Sequence, residues 1–333
     1  MTVKFLDTSL RDGSHALGHT LTPEKIEIVC KSLDNTGVDV IEVGHGNGIG
    51  ASSWQVGFSS YPDEDLLVAA RNNIHNAQLG VHVMPGIATY ERDIKKALGI
   101  GVDYFRVGSH CTEANITKIF IEKLRQEGKR VWGALMMSHM ATPQTLVEQA
   151  KMMQSYGAEG IVIYDSAGNY GPSEVSNRIS LLKDFLDIEV GFHAHNNLGL
   201  AITNAFAAIE SGATMIDGAI NGFGAGAGNL SHTLFAAACK RENLSYGLDL
   251  DEVLNTSTIF ETNVSDTIPT PKEIHIISGL YGVFSGFIKQ VQKVAVHYEV
   301  DAHELFKECG RSKLVAGQED LIVDLACKLR DKK

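Results

Sequence analysis

The chain of 333 residues is 44% hydrophobic and 21% charged, with 40 acidic against 29 basic side chains and a net charge of −11. That balance argues against a nucleic-acid or anionic-membrane partner, and no apolar run approaches the length of a membrane span. The five cysteines (Cys30, Cys111, Cys239, Cys309, Cys327) show no CxxC pairing. With an N-terminus that runs straight into apolar residues, they point to buried thiols in the reducing cytoplasm.

Val3-Lys4-Phe5-Leu6 predicts a first strand over residues 3–7. At its end, Asp7, Arg11, Asp12 and His15 gather two carboxylates, a guanidinium and an imidazole within nine residues. Thr22-Pro23-Glu24 then reads as an N-cap followed by proline at the first helical position. Ile26, Val29, Cys30 and Leu33 give that helix an apolar stripe. Gly37-Val38-Asp39-Val40-Ile41-Glu42-Val43-Gly44 is the next strand candidate, and its pattern recurs from Gly101, Gly157 and Gly212. The spacings of 64, 56 and 55 residues are about twice the ~30 residues of one strand-crossover unit. Further strands fall at 80–84, 131–135 and 188–192, with Thr142-Pro143 opening another helix that Gly157 closes.

Eight strands alternating with helices over about 250 residues predict a (β/α)8 TIM barrel, residues 1–250. A doubly wound sheet would want a glycine-rich phosphate turn after the first strand, and Leu10-Arg11-Asp12-Gly13-Ser14 is not one. The remainder, 251–333, predicts a small C-terminal helical domain. In it Glu273 to Glu299 forms a long helical stretch interrupted by Gly279, Gly282 and Gly286, and shorter helices follow near 301–309 and 317–330.

Barrel chemistry sits at the C-terminal ends of the strands. There the chain places Asp12 and His15, Glu42 and His45, His82, Arg106 and His110, Ser138 and His139, Asp165, and His193 with His195. His193 and His195 are two apart on one strand and point the same way. With a carboxylate from the first strand's end they make a three-ligand metal set with positions left open. Gly222-Phe223-Gly224-Ala225-Gly226-Ala227-Gly228-Asn229 is a loop flexible enough to bring backbone amides against a ligand. Single histidines such as His110, His139 and His232 read as structural.

The pattern Asp7-x-x-Leu10-Arg11-Asp12-Gly13-Ser14-His15 with His193-Ala194-His195-Asn196 resembles the DRE-TIM metallolyase superfamily. Within it, the chain is most similar to the bacterial 4-hydroxy-2-oxovalerate aldolases of meta-cleavage (aromatic hydrocarbon) pathways. The likeness includes Ile41 to Gly46, Thr112-Glu113-Ala114, Met136 to Met140, Gly224 to Asn229 and Gly317 to Asp324. The resemblance implies a class II pyruvate aldolase that reversibly splits a 4-hydroxy-2-oxo acid into pyruvate and an aldehyde. It implies Asp12, His193 and His195 as ligands of a divalent metal, usually Mn²⁺, with Mg²⁺ or Co²⁺ accepted. Arg11 would stabilise the pyruvate enolate, and His15 would take the proton from the C4 hydroxyl. The C-terminal helices would dock an acylating aldehyde dehydrogenase in an oligomeric assembly.

Three departures stand out. Phe284 occupies the family's catalytic tyrosine position, with Tyr281 one turn away as a stand-in. His82 and Met84 replace leucines that face the substrate's alkyl end, and Asn47 stands where an aspartate is usual. Substrate contacts are thus expected from Arg11, His45, His82, Met84, Ser166, His193 and Phe284. Asp165, together with Ser166, is expected to orient ligands or water, and Asn229 to be a weak ligand or a hydrogen-bond donor. A Claisen-type acyl-CoA lyase or synthase of the same superfamily, or a catalytically reduced subunit that activates a dehydrogenase, are the competing expectations.

Overall fold

The computed structural model describes residues 3–315 and 318–331; Gly317, in the last stretch of the resemblance, lies outside them. The eight strands are β1 (Lys4–Asp7), β2 (Val40–Glu42), β3 (Gln78–Val83), β4 (Tyr104–His110), β5 (Arg130–Met136), β6 (Gly160–Asp165), β7 (Glu189–Ala194) and β8 (Met215–Gly218). They close in sequence order, all parallel, with β8 pairing back to β1 from Lys4↔Met215 to Asp7↔Gly218. This is the (β/α)8 barrel that the glycine-led repeat predicts. The repeat overstates β2, however, which is three residues long.

The surrounding helices are α1 (Pro23–Leu33), α2 (Asp63–Arg71), α3 (Lys95–Ile100), α4 (Lys118–Gln126), α5 (Pro143–Ser155), α6 (Pro172–Phe185), α7 (Ala201–Glu210) and α8 (His232–Arg241). Their starts follow from local chemistry. Thr22 Oγ1 accepts from Lys25 N–H at 3.3 Å and Thr142 Oγ1 from Thr145 N–H at 3.1 Å, each just before a helix-opening proline. Alternation along the strands then divides the side chains. Phe5, Ile41, Val81, Val83, Phe105 and Ile161 face the helices, while Leu6, Val40, Tyr104, Trp132, Val162 and Met215 fill the interior. Trp132 has room because Gly160 faces it: a Cβ there would lie 2.4 Å from the indole.

Beyond the barrel come α9 (Leu250–Asn263), α10 (Glu273–Leu280), α11 (Ile288–Tyr298), α12 (Ala302–Arg311) and α13 (Glu319–Arg330). The boundary expected at 250 cuts off part of the barrel layer. Helix α9 packs on α1 and α8, Ser32 and Thr256 hydroxyls meet at 2.7 Å, and Val253, Phe260 and Val264 belong to the barrel's helix-side core. A separate apolar cluster from Ile277 to Ala326 holds the C-terminal helices together. The interrupted helical stretch expected over 273–299 is two helices, broken where Gly282 takes φ +64°, while Gly279 stays inside α10.

Because Phe260 is fully buried against Phe223, Phe260→Ala is expected to cost about 3–5 kcal/mol in denaturant unfolding. A change within about 0.5 kcal/mol would mean that α9 is a passive connector instead.

Candidate active site

The chain leaves β1 through a turn that is anchored at every step. Asp7 Oδ1 accepts from Ser9 N–H at 2.8 Å, and its Oδ2 lies 3.2 Å from His232 Nδ1. Ser9 Oγ accepts from Ile220 N–H at 2.8 Å, tying the turn to the loop after β8. Gly13 packs so closely on Phe223 that a Cβ would lie 2.6 Å from the ring. Only glycine lets the helical turn Asp12–His15 press against that loop. The result is that Asp12 Oδ2 accepts from Ala225 N–H at 3.0 Å and from Asn229 Nδ2 at 2.9 Å.

Arg11 is buried and held from two sides, its Nε donating to Glu42 Oε2 at 2.7 Å and its Nη1 to Asp12 Oδ1 at 2.9 Å. Its Nη2 has no hydrogen-bond partner among the described residues. Burial opposes the guanidinium's charge, but Glu42 and Asp12 hold its pKa above the ordinary value. Burial would likewise raise the Asp12 carboxyl, yet Arg11 and the histidines around it hold it well below the usual range.

His193 and His195 project from β7 and the residue after it, and one donor atom from each lies within 4.8 Å of the other and of an Asp12 oxygen. His193 Nδ1 is 3.0 Å from Asp217 Oδ2, which places its proton there and turns a bare Nε2 inward. His195 Nδ1 and Asn229 Oδ1 are also enclosed, with no hydrogen-bond partner among the described residues. Burial brings the His195 imidazole down to about 4, against the pull of Asp12. Asp217 is in turn clamped by Arg106, whose Nη2 donates to its Oδ1 at 3.0 Å and whose Nη1 also donates to Tyr164 Oη at 2.8 Å. Arg106 Nε faces Glu42 Oε1 at 3.5 Å. Three buried carboxylates (Asp12, Glu42, Asp217) thus meet two buried guanidiniums, leaving one negative charge in excess. Bare imidazole nitrogens, a carboxylate and surplus negative charge fit a divalent cation.

His15 lies half-buried on Gly46, where a Cβ would sit 2.4 Å from its ring. Its ring stands edge-on to His19 at 5.0 Å and to His45 at 6.2 Å, and those two stack at 3.7 Å. Burial lowers the His15 pKa, with Asp12 opposing.

Several expected roles change. His45 has both ring nitrogens engaged, accepting from Asn47 N–H at 3.0 Å and facing Gly57 O at 3.2 Å, so it is a shelf for His15 and His19 rather than a substrate contact. Ser166 Oγ accepts from Met137 N–H at 2.9 Å, which positions its hydroxyl while leaving the O–H to donate. Asp165 does not orient a metal ligand: its oxygens accept from Asn169 and Tyr170 N–H at 2.8 and 3.0 Å. Burial, opposed by those amides, pushes its carboxyl up to about 7. Tyr281 and Phe284 pack on the C-terminal cluster, Tyr281 against Gly310 of α12 and Phe284 edge-on to Phe287 at 5.9 Å. No hydrogen bond joins Tyr281 to Arg11, Asp12 or His15 among the described residues, so the geometry gives it no proton-transfer role. His82 is buried in the barrel mouth and Met84 half-buried at its rim.

Asp217 and His19 have no motif to announce them. For Asp217 the signal was alternation alone, since it shares the inward face of β8 with Met215.

Residues 2–260 match the HMGL-like family model and 269–331 the DmpG-like communication domain. A 4-hydroxy-2-oxovalerate aldolase of Pectobacterium atrosepticum is 48% identical over 320 residues, covering 96% of this chain and 93% of that protein. One from Spirochaeta aurantia is 47% identical over 330 residues, covering 99% and 97%. The fold is shared with the N-terminal domain of a putative aldolase from Bacteroides vulgatus (TM-score 0.75, 22% identity, 88% of this chain and 97% of that one). It is also shared with the carboxyl transferase domain of Rhizobium etli pyruvate carboxylase bound to pyruvate (TM-score 0.81, 15% identity, 99% and 62%).

If Asp217 fixes the His193 tautomer, Asp217→Asn is expected to weaken Mn²⁺ binding about 10–100-fold, read by electron paramagnetic resonance titration. Unchanged affinity would assign the Asp217–Arg106 pair to stability alone.

Proposed function

We propose the following working of the site from the premise that this chain belongs to the 4-hydroxy-2-oxovalerate aldolase family, within the HMGL-like group. It is a metal-dependent carbon–carbon lyase that reversibly cleaves a 4-hydroxy-2-oxo acid to pyruvate and an aldehyde. The observation that carries the residue roles is the free Nη2 of Arg11 beside the Asp12–His193–His195 set.

Asp12, His193 and His195 hold the divalent ion, with Asn229 Oδ1 beside them as a further oxygen. When bound, the ion acts as a Lewis acid and template for the keto acid's oxygens. Arg11 presents its open Nη2 to the pyruvyl oxygen on which negative charge develops as the C3–C4 bond breaks. Glu42 and Asp12 fix the guanidinium beforehand, so little reorganisation accompanies the reaction. His15 accepts the proton of the C4 hydroxyl as that carbon becomes the aldehyde carbonyl. Its lowered pKa keeps the imidazole unprotonated at pH 7, with a nitrogen free to accept that proton. In the synthetic direction the same groups act in reverse.

The mixed imidazole–carboxylate set suits Mn²⁺, with Mg²⁺ or Co²⁺ as alternatives. The C-terminal helices are the docking element for an acylating aldehyde dehydrogenase, a reading that the communication-domain match supports. Hydrogen bonds from the barrel reach this element: His139 Nε2 with Gly282 O at 2.9 Å, Asn169 Nδ2 with Gly279 O at 2.7 Å, and Asn197 Nδ2 with His275 O at 3.2 Å. A cytoplasmic setting agrees with five free cysteines. None of the described helices is long and apolar enough to cross a membrane.

With Mn²⁺ and 4-hydroxy-2-oxopentanoate, pyruvate release coupled to lactate dehydrogenase is expected to stop on EDTA addition and return with Mn²⁺. Release that persists in EDTA would contradict the metal-dependent reading. Arg11→Met is expected to lower kcat/KM about 10²–10³-fold, or about 2.7–4 kcal/mol. A loss confined to KM would instead make Arg11 a substrate-binding group with no preference for the transition state.

A further inference from the structure

Most unpartnered polar atoms at the mouth, on Arg11, His193, His195 and Asn229, belong to the machinery above. His82 does not. Its side chain is 2% exposed, its Nδ1 is enclosed without a partner, and its ring makes no hydrogen bond among the described residues. A buried imidazole with nothing to bond is unfavourable in the free protein.

The place is built for that ring. Along β3, Val81 and Val83 face the helices, whereas Gly80 and His82 face inward. Gly80 lies against Val40 and Tyr104 of the interior, and His82 is the next step up, at the rim where the chemistry is. Two glycines from different elements clear its volume. A Cβ on Gly108 of β4 would lie 2.9 Å from His82 Cε1, and one on Gly48 would lie 3.3 Å from Cδ2. Tyr164, which stacks on His193, has its ring centroid 6.1 Å from that of His82.

The proposed function already assigns the other polar atoms of the substrate. The carboxylate and keto oxygens fall to the metal set and Arg11, and the C4 hydroxyl falls to His15. What remains is the aldehyde-derived part beyond C4. Burial, reinforced by Arg11 and Arg106, holds the His82 imidazole well below its ordinary pKa, so it offers an uncharged donor and acceptor. Arg106 adds no free cation for an anionic substituent, because Asp217, Tyr164 and Glu42 occupy it. We propose that His82 hydrogen-bonds an uncharged hydroxyl on the aldehyde-derived half, which makes hydroxylated aldehydes, not alkyl ones, the preferred partners of pyruvate here.

This inference rests on the metal-aldolase reading, and the experiment keeps the two apart. With Mn²⁺ and pyruvate, kcat/KM is measured for glycolaldehyde and propanal, which differ by a hydroxyl in place of a methyl. The wild type is expected to favour glycolaldehyde at least about tenfold. His82→Leu is expected to bring the ratio to about one or below, and His82→Gln to restore part of it. The ratio is insensitive to a general loss of folded or active protein. The same ratio in wild type and His82→Leu overturns the proposal, as does a wild-type preference for the anionic succinic semialdehyde over glycolaldehyde. Metal-dependent exchange of the pyruvate methyl protons in D₂O, followed by NMR in the wild type without aldehyde, tests the underlying reading. Exchange with unaltered aldehyde ratios is a failure of the inference alone. No exchange and no turnover of any aldehyde is a failure of the aldolase reading itself.

Discussion

The constraint on which the site depends is that five charged side chains are buried together and each must be answered by another. Asp12, Arg11, Glu42, Arg106 and Asp217 form one connected run across the barrel mouth. Isolated, any one of them would be too costly to keep ionised away from water. Joined, they fix one another's position before substrate arrives. The run ends on metal-ligand candidates at both ends, Asp12 directly and His193 through Asp217. Its one surplus negative charge is what a divalent ion would neutralise, so metal binding and the stability of the mouth are electrostatically coupled.

Close packing supplies the precision that charge alone does not. Gly13 against Phe223 brings the first turn onto the loop after β8, and Gly46 under His15 sets the height of the imidazole. The stacked His19–His45 pair, held through Ser14 and the 57 carbonyl, limits where that ring can tilt. These contacts involve side chains with no part in bond breaking. They determine whether Arg11, Asp12 and His15, to which the proposal gives three separate roles, face a common point.

Much of this was legible in the sequence because it is periodic or local. The glycine-led repeat encodes the barrel, threonine–proline pairs encode helix starts, and two histidines at i, i+2 encode a shared face. What escaped depends on long-range packing. Asp165 looks like an orienting carboxylate until the 169 and 170 amides are seen to occupy both its oxygens. Asp217 looks like an ordinary strand residue until Arg106 and His193 converge on it from β4 and β7. Tyr281 is three residues from Phe284, but the break at Gly282 removes the helical spacing between them, and both side chains pack on the C-terminal cluster. Helical spacing says which face a residue shares, not which core that face will meet. The α9 boundary failed for the same reason, since its polar composition hides the apolar edge made by Val253 and Phe260.

The junction between barrel and C-terminal helices is built differently from the charged mouth beneath it. His139, Asn169 and Asn197 reach the C-terminal element from the loops after β5, β6 and β7, and all three meet main-chain carbonyls, of Gly282, Gly279 and His275. A carbonyl is present whatever side chain its residue bears, so this attachment is indifferent to whether position 284 is phenylalanine or tyrosine. The charged run across the mouth has no such freedom, because every partner in it is a side chain with a fixed length and charge. The C-terminal attachment is thus set largely by backbone position and the mouth by side-chain charge, although Gly279 and Gly282 lie close against Asn197 and His139, and Asn197 also meets the Ser285 hydroxyl. His82 belongs to neither set: it is inside the barrel, yet its ring makes no hydrogen bond among the described residues. Replacing that ring removes no hydrogen bond to the metal-ligand candidates or to the C-terminal helices among the described residues.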